Sequence, residues 1–128
     1  MRLSAFIAVA LLCCGCNRET SLGNGYKLTF IESVPADQYL IVDSRNTCVV
    51  PENVTKIAVH KQFIVGFLDR SKPLPGMSYH EPMNVAPGFF VLDTQAKKTE
   101  SGLTEAEFHL RMRQLGIGSP NLQWTQHR

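Results

Sequence analysis

The fold is decided by the stretch from Val54 to Asp69, which reads VTKIAVHKQFIVGFLD. Two runs rich in β-branched and aromatic residues flank a polar centre at residues 60–62, a pattern that predicts two antiparallel strands joined by a tight hairpin. The first run alternates in polarity, whereas the second is apolar at both odd and even positions. Because a strand with two apolar faces is buried on both sides, we expect the second run to be a central strand.

The remaining strands are predicted from shorter β-type runs that are bounded by proline or by polar turns. These runs span residues 26–33, 38–43, 47–50 and 88–94. Together with the hairpin they give five or six short strands, mostly antiparallel.

One helix is predicted, close to the C-terminus. Thr104-Glu105-Ala106-Glu107 has the pattern of a capping box, in which the first and last side chains bond to each other's backbone. Phe108, Met112 and Leu115 follow at helical spacing and form one apolar stripe, and Gly116 is placed to end the helix. The sequence therefore predicts an α+β fold: a small, mostly antiparallel sheet of five or six strands with one C-terminal helix packed on a face.

The N-terminus has the three-part pattern of a secretory signal. One basic residue, Arg2, precedes an apolar run from Leu3 to Leu12, and small residues and cysteines follow. Ten residues span only about 15 Å as a helix, half of a bilayer's hydrocarbon core, so a permanent membrane span is disfavoured.

The end of this run resembles a bacterial lipobox, in which the cysteine after two small residues receives lipid. Cys16 follows Gly15, as the pattern prefers, although Cys13 stands where leucine is usual. Cys14 has Leu11 at the matching spacing, but bulkier residues directly before it. We predict lipidation at Cys16, with Cys14 as the alternative and an unlipidated secreted protein as the other reading.

These features divide the chain into four parts. We expect a signal peptide over residues 1–15, a lipidated cysteine and flexible tether over 16–25, a single domain over 26–117 and a surface tail over 118–128. The net charge of +2 gives no electrostatic case for nucleic-acid binding. Cys48 lies in an apolar run and is predicted to be a buried, inert thiol.

A long segment between two predicted strands, residues 69–87, carries the candidate binding residues. It contains four prolines and no apolar periodicity, and excursions of this length inside a small domain are often functional. Methionine and aromatic side chains favour protein interfaces. The candidate partner-binding residues are Met77, Tyr79, His80, Glu81 and Met83.

An enzymatic alternative uses part of the same segment. Tyr79, His80 and Glu81 form the densest set of proton-active groups and would serve a small periplasmic hydrolase. However, adjacent residues of an extended segment point apart, and no nucleophile motif such as GxSxG accompanies them. The four histidines show no metal-ligand spacing, so we predict a protein without catalysis, metal or cofactor.

The order of segments in the second half of the chain resembles that of small, uncharacterised bacterial lipoproteins. The segments that carry the resemblance are Pro51–Val59, Phe63–Gly66, Gly88–Thr94, Gly102–Phe108 and Leu115–Ile117. They cover roughly half of the chain and are structural rather than catalytic. The resemblance implies a location in the cell envelope and carries over no active-site residue.

The sequence thus predicts a lipid-anchored envelope protein at the periplasmic face of the outer membrane, acting as a non-enzymatic protein-binding module. Its expected partners are the membrane, through the lipid, and another envelope or imported protein. A role as an immunity protein or an assembly factor is suggested only by association. A plain structural lipoprotein of an envelope complex is the remaining alternative.

Overall fold

The computed structural model describes residues 19–31, 38–69 and 85–125. Within these ranges the chain forms nine strands and one helix: β1 (Glu19–Gly23), β2 (Tyr26–Ile31), β3 (Gln38–Val42), β4 (Cys48–Val50), β5 (Val54–His60), β6 (Phe63–Leu68), β7 (Gly88–Asp93), β8 (Lys98–Leu103), α1 (Glu105–Gln114) and β9 (Gln123–Trp124).

The predicted hairpin is confirmed in β5 and β6. The two strands pair antiparallel with His60 opposite Phe63, so the turn consists of Lys61 and Gln62. Lys61 has a φ of 55°, which is the left-handed conformation that favoured two-residue hairpin turns use.

The prediction that the second strand of the hairpin is central is also confirmed. β6 lies between β5 and β7. Ile64 and Leu68 belong to the apolar core on one side of the sheet, whereas Val65 belongs to the core on the other side. All three side chains are fully buried, which is why this run is apolar on both faces.

The strands form two antiparallel sheets, so the predicted single sheet of five or six strands is wrong. One sheet has the order β1-β2-β3-β4 and the other has the order β8-β7-β6-β5-β9. The coarser prediction, mostly antiparallel strands with one helix, is confirmed. The chain passes from one sheet to the other between Val50 and Val54, where Pro51 has no N–H to donate to a ladder.

Apolar side chains fill the space between the two sheets. The contributors are Tyr26, Leu28, Ile41 and Val50 from the four-stranded sheet, and Val54, Ile64, Leu68, Phe90 and Leu92 from the five-stranded sheet. The sheets therefore form a two-layer core, with α1 as a third layer outside the five-stranded sheet.

Short turns of both sheets lie at one end of the molecule, called the turn end below; they are residues 24–25, 43–47, 61–62 and 94–97. The Asn24 side-chain amide donates to Thr94 Oγ1 at 2.7 Å, and the Thr94 hydroxyl donates to the Gln62 carbonyl at 2.8 Å. These bonds tie a turn of the four-stranded sheet to two turns of the other. Nearby, burial raises the pKa of the Tyr26 phenol, and the carboxylates of Asp43 and Asp93 add to this effect.

The predicted helix and its apolar stripe are confirmed. Phe108 and Met112 are fully buried against the outer side of the five-stranded sheet, and Leu115 packs on the same core while partly buried. The Phe108 ring stacks on Phe89 with 4.6 Å between ring centroids. Leu115 caps the helix, and Gly116 follows with a φ of 76°, as expected of a glycine that ends a helix.

Removing the hydroxyl of Thr104 is expected to destabilise the protein by about 1 kcal/mol. Thr104 Oγ1 accepts from the Glu107 N–H at 3.1 Å, while Glu107 Oε1 accepts from the Thr104 N–H at 2.8 Å. Thr104→Ala breaks the first bond, and Thr104→Ser keeps it. Urea unfolding should rank the alanine variant clearly below the serine variant; equal midpoints for the two would contradict a role for the cap.

Three strands lie where the sequence predicts none. Glu19–Gly23, inside the predicted tether, forms β1 and pairs with β2. Gln123–Trp124, inside the predicted tail, forms β9 and pairs with β5. Lys98–Leu103 forms β8 and pairs with β7, in a stretch between the last predicted strand and the predicted helix. All three are edge strands, which have a neighbour on one side only and little need for apolar side chains.

Among the described residues, no helix is both long and apolar enough to cross a membrane. Cys48, the one cysteine in the described ranges, is partly buried in β4. The predicted inert thiol is therefore less buried than expected.

Candidate functional site

The residues predicted to carry the lipid or to bind a partner all lie outside the described residues. This applies to the lipidation candidates, Cys16 and Cys14, and to the whole predicted binding set, Met77, Tyr79, His80, Glu81 and Met83. The structure does fix where the long segment leaves and re-enters the sheet. Leu68 at the end of β6 lies opposite Gly88 at the start of β7, so both ends of the segment lie at the end of the molecule opposite the turn end.

The two described histidines lie apart, on different elements. His109 is on the exposed side of α1, where its Nε2 lies 3.7 Å from Glu105 Oε2. His60 is the last residue of β5, at the turn end. His60 lines a cleft.

The cleft beside His60 is the candidate site. It has a volume of about 380 Å³ and lies between the end of β5 and the segment that follows α1. Its lining residues are Ala58, Val59, His60, Ile117, Ser119, Pro120, Asn121 and Gln123. This volume is within the range of about 300–1,000 Å³ that is usual for ligand-binding clefts.

The cleft exists because β9 covers only part of β5. β9 pairs with Lys56 and Ile57 alone, so the last three residues of β5 have no neighbouring strand on that side within the described ranges. The segment after α1 cannot extend the pairing, because Gly118 has a φ of 79° and Pro120 has no N–H to donate. The chain's own sequence therefore keeps this edge open.

The backbone of Val59 faces the cleft. The backbone of Thr55 faces the β9 side of the strand, because its carbonyl accepts from the Thr125 N–H at 2.9 Å. Ile57, two residues further along β5, lies opposite Gln123 of β9. Since backbone groups alternate along a strand, Val59 directs its N–H and C=O to the same edge. Neither group has a hydrogen-bond partner among the residues that the structure describes.

The side chains around this edge are apolar, uncharged polar or basic. Val59 is 47% exposed, which is high for a valine within a strand. Lys61 is exposed at the hairpin turn, next to the cleft. Lys56 lies where the open edge begins, and its Nζ is 4.6 Å from the centroid of the Trp124 ring. The cleft lining contains no acidic residue, so the edge combines two free backbone groups, an apolar contact and positive charge.

A second surface cleft lies beside α1. Arg111 Nε contacts both carboxylate oxygens of Glu100, at 2.8 and 3.1 Å, across this cleft, and Leu110 at its rim is 48% exposed. The cationic and anionic groups here are already paired with each other. This arrangement braces the helix against β8 and leaves little charge for a ligand.

A buried carboxylate, that of Glu52, lies at the end of the molecule opposite the turn end. Glu52, on the link between the two sheets, is 6% exposed, and neither of its carboxylate oxygens has a hydrogen-bond partner in the described part of the chain. Its neighbour Asn53 is well bonded, since Asn53 Oδ1 accepts from the Tyr39 N–H at 3.0 Å and its carbonyl accepts from the Asp69 N–H at 2.9 Å. Burying an unpaired carboxylate is costly.

Replacing this carboxylate with an amide is expected to stabilise the fold. Glu52→Gln keeps the shape and removes a buried charge, which should raise the free energy of unfolding by about 1 kcal/mol in urea titrations. Glu105→Gln is the matched control, because it removes an exposed acid from the first turn of α1 and should cost no more than about 0.5 kcal/mol. A clear loss of stability in Glu52→Gln would mean that a cation pairs with this carboxylate in solution.

No group of three or more histidine, cysteine or acidic side chains in residues 19–31, 38–69 and 85–125 is arranged to hold a metal ion. The cleft at the β5 edge was not predicted from the sequence. The signal for it was present in Gly118 and Pro120, which interrupt any strand directly after the helix. These two residues indicate a cleft only once the segment after the helix is known to return to the edge of β5.

Comparison with known proteins gives no relative for this chain. No protein-family model matches it, and searches of curated proteins and of solved structures found no significant similarity.

Proposed function

We propose that this protein is a lipid-anchored protein of the bacterial envelope whose domain binds another protein and carries out no catalysis. The observation that carries the proposal is the open edge of β5, where an exposed valine, two backbone groups without a partner among the described residues and a cleft of about 380 Å³ lie together. These groups suit binding to another polypeptide better than proton transfer to a small substrate.

The start of β1 determines which end of the domain the proposed anchor would hold. β1 begins at Glu19 and runs towards the turn at residues 24–25, so its first residue lies away from the turn end. A lipid on Cys16 would be only three residues before Glu19, a span of at most about 10 Å. The anchor would thus hold the opposite end of the domain close to the bilayer.

The cleft would then face away from the membrane. His60 directly precedes the turn at residues 61–62 and therefore lies at the turn end. The seven residues of β5 extend over about 20 Å, which separates the cleft from the anchored end by most of the length of the domain. A partner in the periplasm, whether an incoming protein or an assembly component, would meet this end first.

The anchor is tested by the intact mass of protein extracted from membranes. We expect a chain that starts at Cys16 and carries acyl chains, since two or more chains hold a protein on a bilayer stably. Cys16→Ala should leave the protein without lipid, whereas Cys48→Ala should not change the added mass. A soluble wild-type protein of unmodified mass would contradict the anchor, and lipid retained in Cys16→Ala would move it to Cys14.

Binding is tested by affinity capture from detergent-solubilised envelopes. We expect one reproducible partner that is retained by the wild-type protein. The absence of any reproducible partner in repeated captures would count against a binding function and favour a plain structural lipoprotein.

A further inference from the structure

We propose that the open edge of β5 binds its partner by strand addition: an extended segment of the partner protein pairs with Val59, with an apolar residue opposite it and acidic residues beside it. This inference rests on the proposed binding function and deepens it, because it names the kind of segment that binds and the atoms that recognise it.

The backbone of Val59 defines the first requirement. Its N–H and C=O both face the cleft, spaced as in an antiparallel hydrogen-bonded pair. An extended peptide satisfies both groups at once, by accepting from the N–H and donating to the C=O of Val59. A small anion or an apolar ligand would satisfy at most one of them.

The free edge is short, which limits the length of the segment. Only residues 58–60 lie beyond the pairing with β9, so an added strand would pair with about three residues, a length of about 10 Å. The strand would continue the line of β9 along the same edge. Ser119, Pro120 and Asn121 lie on the opposite side of the cleft, and Pro120 has no N–H to donate to the ladder.

The side chains define the residues that the segment carries. The residue opposite Val59 shares its face of the sheet and would cover a side chain that is now 47% exposed, so an apolar, β-branched residue fits there. Lys61 is exposed beside the cleft, His60 lines it, and its lining contains no acidic residue. Acidic residues in the segment would therefore be attracted and basic ones would not.

The proposal commits to a segment of a different protein. A second copy of this chain, with its β5 placed edge to edge, is the competing occupant. That arrangement would bring the basic residue Lys61 of each copy towards the other's edge, which is unfavourable for like charges.

The test uses 15N-labelled full-length protein extracted in detergent, with short blocked peptides as probes. The first peptide is Asp-Thr-Val-Thr-Asp, whose central valine would pair with Val59. The second is identical except for a methyl group on the central amide nitrogen, which removes the donor to the Val59 carbonyl. The third has lysine in place of both aspartates.

The expected result is a saturable shift of the Val59 amide resonance, together with those of Ser119 and Asn121, on addition of the first peptide. The methylated peptide should bind about tenfold more weakly or worse, and the lysine peptide should also bind more weakly. Equal binding of the methylated and unmethylated peptides, or no shift at Val59, would overturn the proposal.

Three further outcomes are decisive. If the Val59 resonance changes with protein concentration before any peptide is added, a second copy occupies the edge and the proposal is wrong. If a partner is captured from envelopes equally well by the wild type and by Val59→Lys, strand addition fails while the binding function stands. Failure of capture by the wild-type protein would instead remove the proposed function itself.

Discussion

Gly66→Ala is expected to prevent stable folding. Gly66 lies in the middle of β6, opposite Ile57 of β5, and a Cβ added there would overlap the backbone carbonyl oxygen of Lys56 and come within 2.9 Å of the Phe90 ring. A carbonyl in a neighbouring strand cannot move aside without disturbing the β5–β6 ladder. We expect a loss of more than about 3 kcal/mol, a large part of the total stability of a domain of this size.

Gly116→Ala provides the comparison. Gly116 has a φ of 76°, and a Cβ there would meet nothing within 4 Å, so only the left-handed backbone conformation is penalised, by about 1 kcal/mol. Urea unfolding of both variants measures the difference, with far-UV circular dichroism to confirm folding. A Gly66→Ala protein within 1 kcal/mol of the wild type would show that the strands do not approach as closely as the structure indicates.

Phe108→Ala is expected to lower stability by about 3–5 kcal/mol. The ring is 1% exposed and joins a row of aromatic contacts, because it stacks on Phe89, which in turn meets the edge of Phe67 at 4.9 Å. Truncation leaves a cavity between α1 and the five-stranded sheet. Because Leu115 and Ile117 pack on the same core, the outer wall of the cleft should also loosen.

Leu110→Ala is the control for Phe108. It lies on the same helix but is 48% exposed, and alanine is a good helix former, so the change in stability should stay within about 0.5 kcal/mol. The measurement is the urea midpoint together with the helical signal in circular dichroism. Equal stability of the two variants would contradict the docking of α1 through Phe108.

The elements that could be predicted from the sequence are those with a strong local pattern. The hairpin of β5 and β6 has two β-rich runs around a turn that allows only two residues, and α1 has both a capping box and an apolar stripe. In each case the signal lies within a few neighbouring residues, so no knowledge of the tertiary structure is needed.

The division into two sheets could not be predicted in this way. The strands on either side of Pro51 look alike in the sequence, and nothing local shows that Val50 and Val54 belong to different layers. The edge strands were missed for a related reason. β1 and β8 are polar and are held by pairing with their neighbours, so their own composition is close to that of a turn.

The candidate site was harder to predict than the fold. Sequence reasoning favoured Met77, Tyr79, His80, Glu81 and Met83, which lie outside the described residues. The cleft at the β5 edge joins Val59 to a segment some sixty residues away in the chain. Its main feature is a pair of backbone groups, an N–H and a C=O, which every residue except proline possesses, so only the pairing pattern distinguishes Val59 from its neighbours.

The most direct test of the account is partner capture from envelope extracts by Val59→Lys compared with Thr99→Lys. Val59 lies in the part of β5 that β9 leaves uncovered, and Thr99 lies on β8 at the other edge of the same sheet, so each variant adds one charge at one edge of this sheet. If the partner binds by adding a strand at Val59, capture should fall at least about tenfold in Val59→Lys and persist in Thr99→Lys. Undiminished capture by Val59→Lys, or an equal loss of capture in both variants, would contradict strand addition at Val59.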